Sequence, residues 1–232
     1  MNTIGGPVRA GSACAAAADA ARRRRLSVGM ALGALSALAG CVSLGGDGPA
    51  RQWYRIDDTG AAGPVAQPPI ARTLLIEGVA SSAFHDGSAL VFGRPGARAH
   101  YQFAAWTERP TRRLAQLVER RLAGRGRFAV VAQSTAGVRG DLLLRLTLDD
   151  LYHDVSRAPG EACIALTAEL VDWRARTLLG RHDFERRVPV AEESAEAAAA
   201  ATSRAVGALL DALAPWVESL AAASGRPGGA GA

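Results

Sequence analysis

The sequence predicts an α+β fold of two layers, in which two main helices pack on one face of a largely antiparallel sheet. Strand-like segments with an apolar residue at every second position dominate the chain after residue 72. Only two segments have helical periodicity, and the last three strand-like segments follow one another with short loops. Because such a meander buries one face of its sheet and exposes the other, we expect the helices to cover the buried face.

The first predicted elements are a strand, a hairpin and a helix. Residues 72–79 form an apolar run that is typical of a strand, and residues 88–92 and 98–103 flank a Gly-Arg-Pro-Gly turn. The helix begins near Pro110, whose missing N–H costs little in a first turn, and it ends at Gly124. Its apolar stripe consists of Leu114, Leu117, Val118 and Leu122.

The second half of the chain predicts more strands and a terminal helix. The helix begins near Glu192 and Glu193, because acidic side chains suit the N-terminal end of the helix dipole. Pro215 is expected to kink this helix or to end it early. The predicted strands before this helix cover residues 128–131, 141–151, 162–173 and 178–188. Apolar and polar residues alternate along them, most clearly over residues 141–151.

The first forty residues are typical of a secretory signal. Four arginines at residues 22–25 precede an uncharged stretch over residues 26–40. The stretch closes on Leu-Ala-Gly-Cys, which resembles the bacterial lipoprotein box and implies cleavage after Gly40 and a covalent lipid on Cys41. No other cofactor is predicted. Val42 follows the cysteine where an aspartate would signal retention at the inner membrane, so the resemblance favours the periplasmic side of the outer membrane.

These signals divide the chain into four parts. Residues 1–40 are the removed signal, 41–71 a lipidated N-terminus and flexible tether, 72–222 a single α+β domain and 223–232 a disordered tail. A strand-like Trp-Tyr-Arg-Ile sequence within the tether leaves two interpretations open. It is either a short first strand docked on the domain or a peptide in a loose linker.

Charge and chemistry exclude some classes of function. The net charge is +5. Most of it belongs to the signal, where Arg9 and the four arginines at residues 22–25 are balanced only by Asp19, so the chain after residue 40 is nearly neutral. A nucleic-acid partner is therefore not predicted. Three His-Asp dipeptides lack the spacing of a metal site, and Cys163 has no catalytic partner in its strand. We predict no catalytic residue and no metal.

Several features together resemble the ABC-type transport auxiliary lipoprotein family, whose members accompany MCE-type (mammalian cell entry) lipid transporters. The resemblance covers roughly residues 41–221 and is strongest from Leu90 into the first helix. Ala105, where the family often has a basic residue, and Phe92-Gly93, where it often has Tyr-Arg, depart from the family pattern. The resembling features are Cys41, Trp53 to Ile56, Leu74 to Ile76, Leu90 to Phe92, Tyr101, Trp106 to Pro110, Leu142 to Leu148 and the alanine-rich last helix.

The resemblance implies a non-catalytic subunit that anchors or caps a periplasm-spanning lipid conduit at the outer membrane. Its implied partners are an MCE-domain periplasmic protein and the membrane, and a ring-shaped MCE assembly would favour a homo-oligomeric cap. The segment before the first helix supplies the candidate contacts Trp106, Glu108 and Tyr101, although the more ordinary interpretation of Trp106 is a residue that caps the core. Two alternatives stay open: an outer-membrane lipoprotein that serves lipopolysaccharide assembly or cell-wall synthesis, and a lipid-anchored hydrolase.

Overall fold

The structure is a computed structural model that describes residues 50–60 and 63–225 of the chain. The predicted signal, the lipidation of Cys41 and the tail after residue 225 lie outside the described residues. The described residues form nine strands and two helices. The strands are β1 Gln52–Tyr54, β2 Ile70–Ile76, β3 Ala80–Ser81, β4 Ala89–Arg94, β5 Ala97–Trp106, β6 Phe128–Gln133, β7 Leu142–Asp154, β8 Glu161–Asp172 and β9 Thr177–Pro189, and the helices are α1 Pro110–Gly124 and α2 Ala195–Ser224.

The long strand β7 organises the sheet. One edge of β7 pairs with β8, and β8 pairs with β9. The other edge pairs in turn with β2 near its start, β3 in its middle and β4 at its end. Since β2 continues to β6, and β4 continues through β5 to β1, the sheet divides on this side into two branches.

The α+β prediction is confirmed, and the sheet is mixed. The hairpin of β4 and β5 and the meander of β7, β8 and β9 are antiparallel, as expected. The five remaining pairings, which join β2, β3 and β4 to β7, β2 to β6 and β1 to β5, are parallel. The alternation of side chains is the same for both directions of pairing, so the sequence pattern carries no signal for this difference.

One hydrophobic core joins the sheet to both helices. The alternation predicted for β7 is confirmed, because its even-numbered leucines from Leu142 to Leu148 are fully buried, whereas Arg145, Thr147 and Asp149 are exposed. Burial of each such side chain contributes about 1.5–3 kcal/mol. The facing residues of the helices are Leu114, Leu117, Val118 and Leu122 in α1, and Val206, Leu209, Leu210, Leu213 and Val217 in α2.

The terminal helix differs from its prediction at both ends. Ser194 caps it by accepting a hydrogen bond from the Ala197 N–H at 3.1 Å, so Glu192 and Glu193 precede the helix. The helix does not end at Pro215 but continues to Ser224. Its apolar face stays buried beyond the proline, which offsets the missing hydrogen bond. By length and composition this helix could cross a membrane, but it is a core helix packed on β8 and β9.

Packed structure reaches upstream of residue 72, where the sequence analysis placed the start of the domain. The strand-like island forms β1, which pairs in parallel with the end of β5. Ile56 is only 2% exposed and belongs to the core. Asp57 and Asp58 then form ion pairs with Arg113 and Arg121 of α1. Of the two interpretations of the Trp-Tyr-Arg-Ile sequence, the structure therefore shows the first, a short strand docked on the domain.

Candidate functional site: a cleft at the start of the first helix

An open cleft of about 870 Å³ lies where the two branches of the sheet separate. Its walls are the residues at or after the ends of β2 and β6, the residue before β4, the turn between β5 and α1, and the first two turns of α1. Crevices outside the carboxyl ends of parallel strands are common binding places in mixed sheets. The lining residues are Gly78, Val79, Ser88, Thr107, Glu108, Arg109, Thr111, Arg112, Ala115, Gln116, Gln133 and Thr135.

The rim of the cleft carries charges of both signs. Glu108 lies 3.9 Å from Arg112 and 3.9 Å from Arg113, and it accepts a hydrogen bond from Gln116 at 3.4 Å. Arg109 lies 3.5 Å from Asp86, and both side chains are exposed. The Arg112 side chain is 76% exposed, so it projects from α1 into solvent and contributes little to the packing of the domain. Such an open, polar rim suits a protein partner better than an enclosed small molecule.

Trp106 supports one wall of this cleft from the side of the hydrophobic core. Its indole is 3% exposed and lies in the core, so it presents no surface in this chain. The Trp106 N–H donates to the Ser88 carbonyl at 2.7 Å, and the Thr107 N–H donates to the Tyr54 carbonyl at 2.8 Å. The end of β5 is thereby fixed between its neighbours, which sets the direction in which Glu108 leaves the strand.

Tyr101 lies elsewhere on β5 and does not line the cleft. Its hydroxyl shares a 2.7 Å hydrogen bond with Nδ1 of His153, and its ring packs 4.8 Å from Phe92. Burial raises the pKa of Tyr101, and the charge of Glu193 raises it further. Of the three candidate contact residues, the structure therefore places only Glu108 on the cleft surface.

The sequence analysis missed the cleft residues that come from other elements. Gly78 and Val79 follow β2, and Gln133 and Thr135 follow or end β6. Their convergence depends on the parallel pairing of β2 with β6. The helix α1 before β6 is a local signal that β6 joins a parallel neighbour, because a helical crossover is the usual connection to a parallel strand. It does not identify that neighbour, since β6 pairs with β2 and not with β5.

The His-Asp dipeptides have separate partners. His85 lies 3.2 Å from Asp150, which also accepts a 2.6 Å hydrogen bond from Arg98. Burial alone would raise the pKa of Asp150, but these two hydrogen bonds outweigh it and hold the pKa below its usual value. His153 contacts the Pro159 carbonyl at 2.8 Å. Over residues 50–60 and 63–225 no group of three His, Cys, Asp or Glu could hold a metal ion.

Cys163 is packed rather than poised for chemistry. Its side chain is buried against Val91 and Tyr152 on the face of the sheet away from the main core. Burial raises the pKa of the Cys163 thiol, which keeps it protonated and weakly nucleophilic.

Comparison with known families decides the identity of this fold. A family model described as the ABC-type transport auxiliary lipoprotein component matches residues 54–214. The chain belongs to this family. The match includes the cleft, helix α1 and the first two-thirds of helix α2, and it confirms the resemblance stated from the sequence. The auxiliary component of ABC-type transport is thus the general role of the protein, and it implies association with transport components. No curated protein matches the chain.

Solved structures share the fold of this auxiliary lipoprotein. A crystal structure of a Xanthomonas campestris protein of the DUF330 family aligns with a TM-score of 0.70 at 22% identity, over 76% of this chain and 99% of that one. A second crystal structure, of an uncharacterized protein, aligns with a TM-score of 0.57 at 12% identity, over 72% and 99%. The PelC dodecamer from Paraburkholderia phytofirmans reaches a TM-score of only 0.41 at 11% identity, over 67% and 93%, which is too low to bear on fold or assembly.

Proposed function

We propose that this auxiliary lipoprotein is a non-catalytic subunit of an MCE-type ABC transport system. The lipid on Cys41 anchors it to the periplasmic side of the outer membrane. There it holds or caps the conduit that an MCE-domain protein forms across the periplasm, and so supports the movement of phospholipids or similar apolar molecules. The energy for transport comes from the ATPase and permease, so this subunit needs no catalytic residue of its own.

The cleft beside α1 is the observation that carries the proposal. The segment in which the sequence most resembles the family runs from Leu90 to Pro110, and its last residues form one wall of the cleft. Trp106 positions this wall from the core, and Glu108, Arg109 and Arg112 carry its charge. A family-like segment that builds an open, charged surface supports a role in contacting a partner protein.

The charges at the rim would select the partner and speed its association. Arginine is enriched in the residues that contribute most to protein interfaces, and complementary charge raises association rates. Reversing one rim charge should therefore weaken binding by about tenfold, which corresponds to about 1.4 kcal/mol. Arg112 is the best position for this change, because its exposure leaves the fold intact.

The test is an affinity pull-down of the tagged, lipidated protein from gently solubilised membranes, with mass spectrometry of the proteins recovered. Four forms are compared: wild type, Cys41→Ala, Arg112→Glu and Arg120→Glu. Arg120 is the matched control because it is an exposed arginine on the same helix that does not line the cleft. We expect recovery of an MCE-domain protein with wild type and Arg120→Glu, and a strong loss with Arg112→Glu and with Cys41→Ala.

Two results would contradict the proposal. Recovery of a lipopolysaccharide-assembly barrel or a cell-wall synthase, without an MCE-domain protein, would assign the protein to a different envelope machine. Equal recovery of the MCE-domain protein with Arg112→Glu and Arg120→Glu would remove the cleft from the interface and leave only the subunit assignment.

A further inference from the structure

An aromatic surface lies at the β1 edge of the sheet, on the strand that begins the described part of the chain and on its neighbour β5. The side chain of Trp53 is 55% exposed, and that of Phe103 on the neighbouring strand β5 is 43% exposed. β1 pairs in parallel with β5 through Gln52↔Ala104 and Trp53↔Ala105. Phe103 precedes Ala104 on β5 as Arg51 precedes Gln52, so Phe103 and Arg51 occupy corresponding positions of the two neighbouring chain segments. The guanidinium of Arg51 lies over the Trp53 ring, 5.3 Å from its centroid. We call Arg51, Trp53 and Phe103 the β1 edge surface.

The neighbours of Trp53 in β1 show that its exposure is a property of the strand rather than of a loose end. Tyr54 faces inward and packs against the core, and it pairs with the buried Trp106. Since successive side chains of a strand point to opposite faces, Trp53 is directed away from the core. The docked segment after β1 fixes this orientation through Ile56 and Asp57.

The position of the anchor limits what can cover this surface. Nine residues lie between Cys41 and Arg51, and the ten residue steps that join them span at most about 36 Å when the chain is fully extended. A folded domain of this size has a radius of gyration of about 16 Å, so a tether of this length keeps the residues that follow it within reach of the membrane that would hold the anchor. An exposed tryptophan, a phenylalanine and an arginine are the side chains that favour the headgroup region of a bilayer.

From this placement we infer that the β1 edge surface rests on the phospholipid membrane and orients the domain there. This inference depends on the proposed lipid anchor at Cys41. Trp53 and Phe103 lie at the level of the headgroups, and Arg51 faces the lipid phosphates. The lipid on Cys41 supplies attachment, and the β1 edge surface supplies a fixed orientation, so that the cleft beside α1 is presented in one direction to its partner.

Tryptophan emission tests the contact in the lipidated protein reconstituted into vesicles of phosphatidylethanolamine and phosphatidylglycerol. Vesicles with bromine on the acyl chains near the headgroup quench only a tryptophan that touches the lipid. We compare wild type, Trp53→Phe and Trp173→Phe. Trp173 is a matched control because it is similarly exposed, at 48%, but lies near the other end of β7. It follows Asp172, which pairs with Leu142 at the start of β7, whereas the branch that contains β1 joins β7 at its end.

We expect brominated lipid to quench wild type and Trp173→Phe, and the quenching to be lost in Trp53→Phe. Equal quenching of all three proteins, or of none, would overturn the inference. Protection of Trp53 from a water-soluble quencher without quenching by lipid would also overturn it, in favour of a protein partner or a second copy. Mass spectrometry of the N-terminal peptide separates the two proposals: absence of lipid on Cys41 refutes both, whereas a lipidated protein without quenching refutes this inference alone.

Discussion

The replacement Gly207→Ala tests the contact between the N-terminal segment and helix α2. Gly207 lies in the interior of this alanine-rich helix, where alanine is the better helix former by about 1 kcal/mol. Helix propensity alone therefore predicts a more stable protein. In the structure, however, a Cβ added at Gly207 would lie 2.6 Å from the backbone nitrogen of Gly60 and 2.9 Å from the hydroxyl of Thr59.

The N-terminal segment cannot easily withdraw from this contact. One turn earlier on α2, Ser203 accepts a hydrogen bond from the Asp57 N–H at 3.1 Å and from the Thr59 hydroxyl at 3.4 Å. Asp58 is held at the same time by Arg121 of α1. Overpacking of this kind costs about 1–3 kcal/mol, and each hydrogen bond that is lost adds about 0.5–1.5 kcal/mol. The cost exceeds the gain in propensity, and we expect a net loss of about 1–2 kcal/mol.

Thermal unfolding followed by circular dichroism measures the effect. A loss of this size lowers the Tm by about 2–8 °C in a domain of this length. The control is Ala200→Gly, at an exposed position of the same helix, which should lower stability through propensity alone by about 1 kcal/mol. A Tm for Gly207→Ala equal to or above that of wild type would refute the close approach of Gly60 to the helix.

Two further predictions concern ionised groups. Arg121→Met should lower the free energy of unfolding by about 3 kcal/mol, because it leaves Asp58 without its buried cation. The control Arg120→Met, at an exposed position of the same helix, should change it by less than about 0.5 kcal/mol. Equal midpoints of urea unfolding for the two variants would contradict this prediction. The pKa of Asp150 is lower in the folded state than its ordinary value of 3.8, so its stabilisation is complete above that pH and is lost as the pH falls through the folded value. Asp150→Asn should therefore be less stable than wild type at neutral pH and lose less stability on acidification, and an unchanged acid unfolding curve would count against this pairing.

The sequence by itself determined the longer strands, both helices and their buried faces. Apolar residues at every second position of β7 and at helical spacing in α1 predicted which side chains are buried, because burial of an amphipathic element depends on its own periodicity. The turn between β4 and β5 and the helix boundary at Pro110 were also local signals. The family resemblance followed from the same stretch of sequence, and the family match confirms it.

Local signals were less informative where long-range packing decides the outcome. Pro215 and the strand-like island at β1 are two such places. The proline is tolerated because the face of α2 beyond it remains buried, and β1 docks because Ile56 and the acids after it find partners on α1 and in the core. Neither compensation is visible in the neighbouring sequence.

Only the tertiary structure decided the direction of the strand pairings and the place of the cleft. A strand offers the same donors and acceptors to a parallel and to an antiparallel neighbour, so its sequence does not specify which neighbour it takes. The parallel pairing of β2 with β6 brings Gly78 and Gln133 to the same edge as Glu108. These residues are far apart in the chain, and their convergence depends on contacts that form only when the two branches of the sheet and α1 pack together.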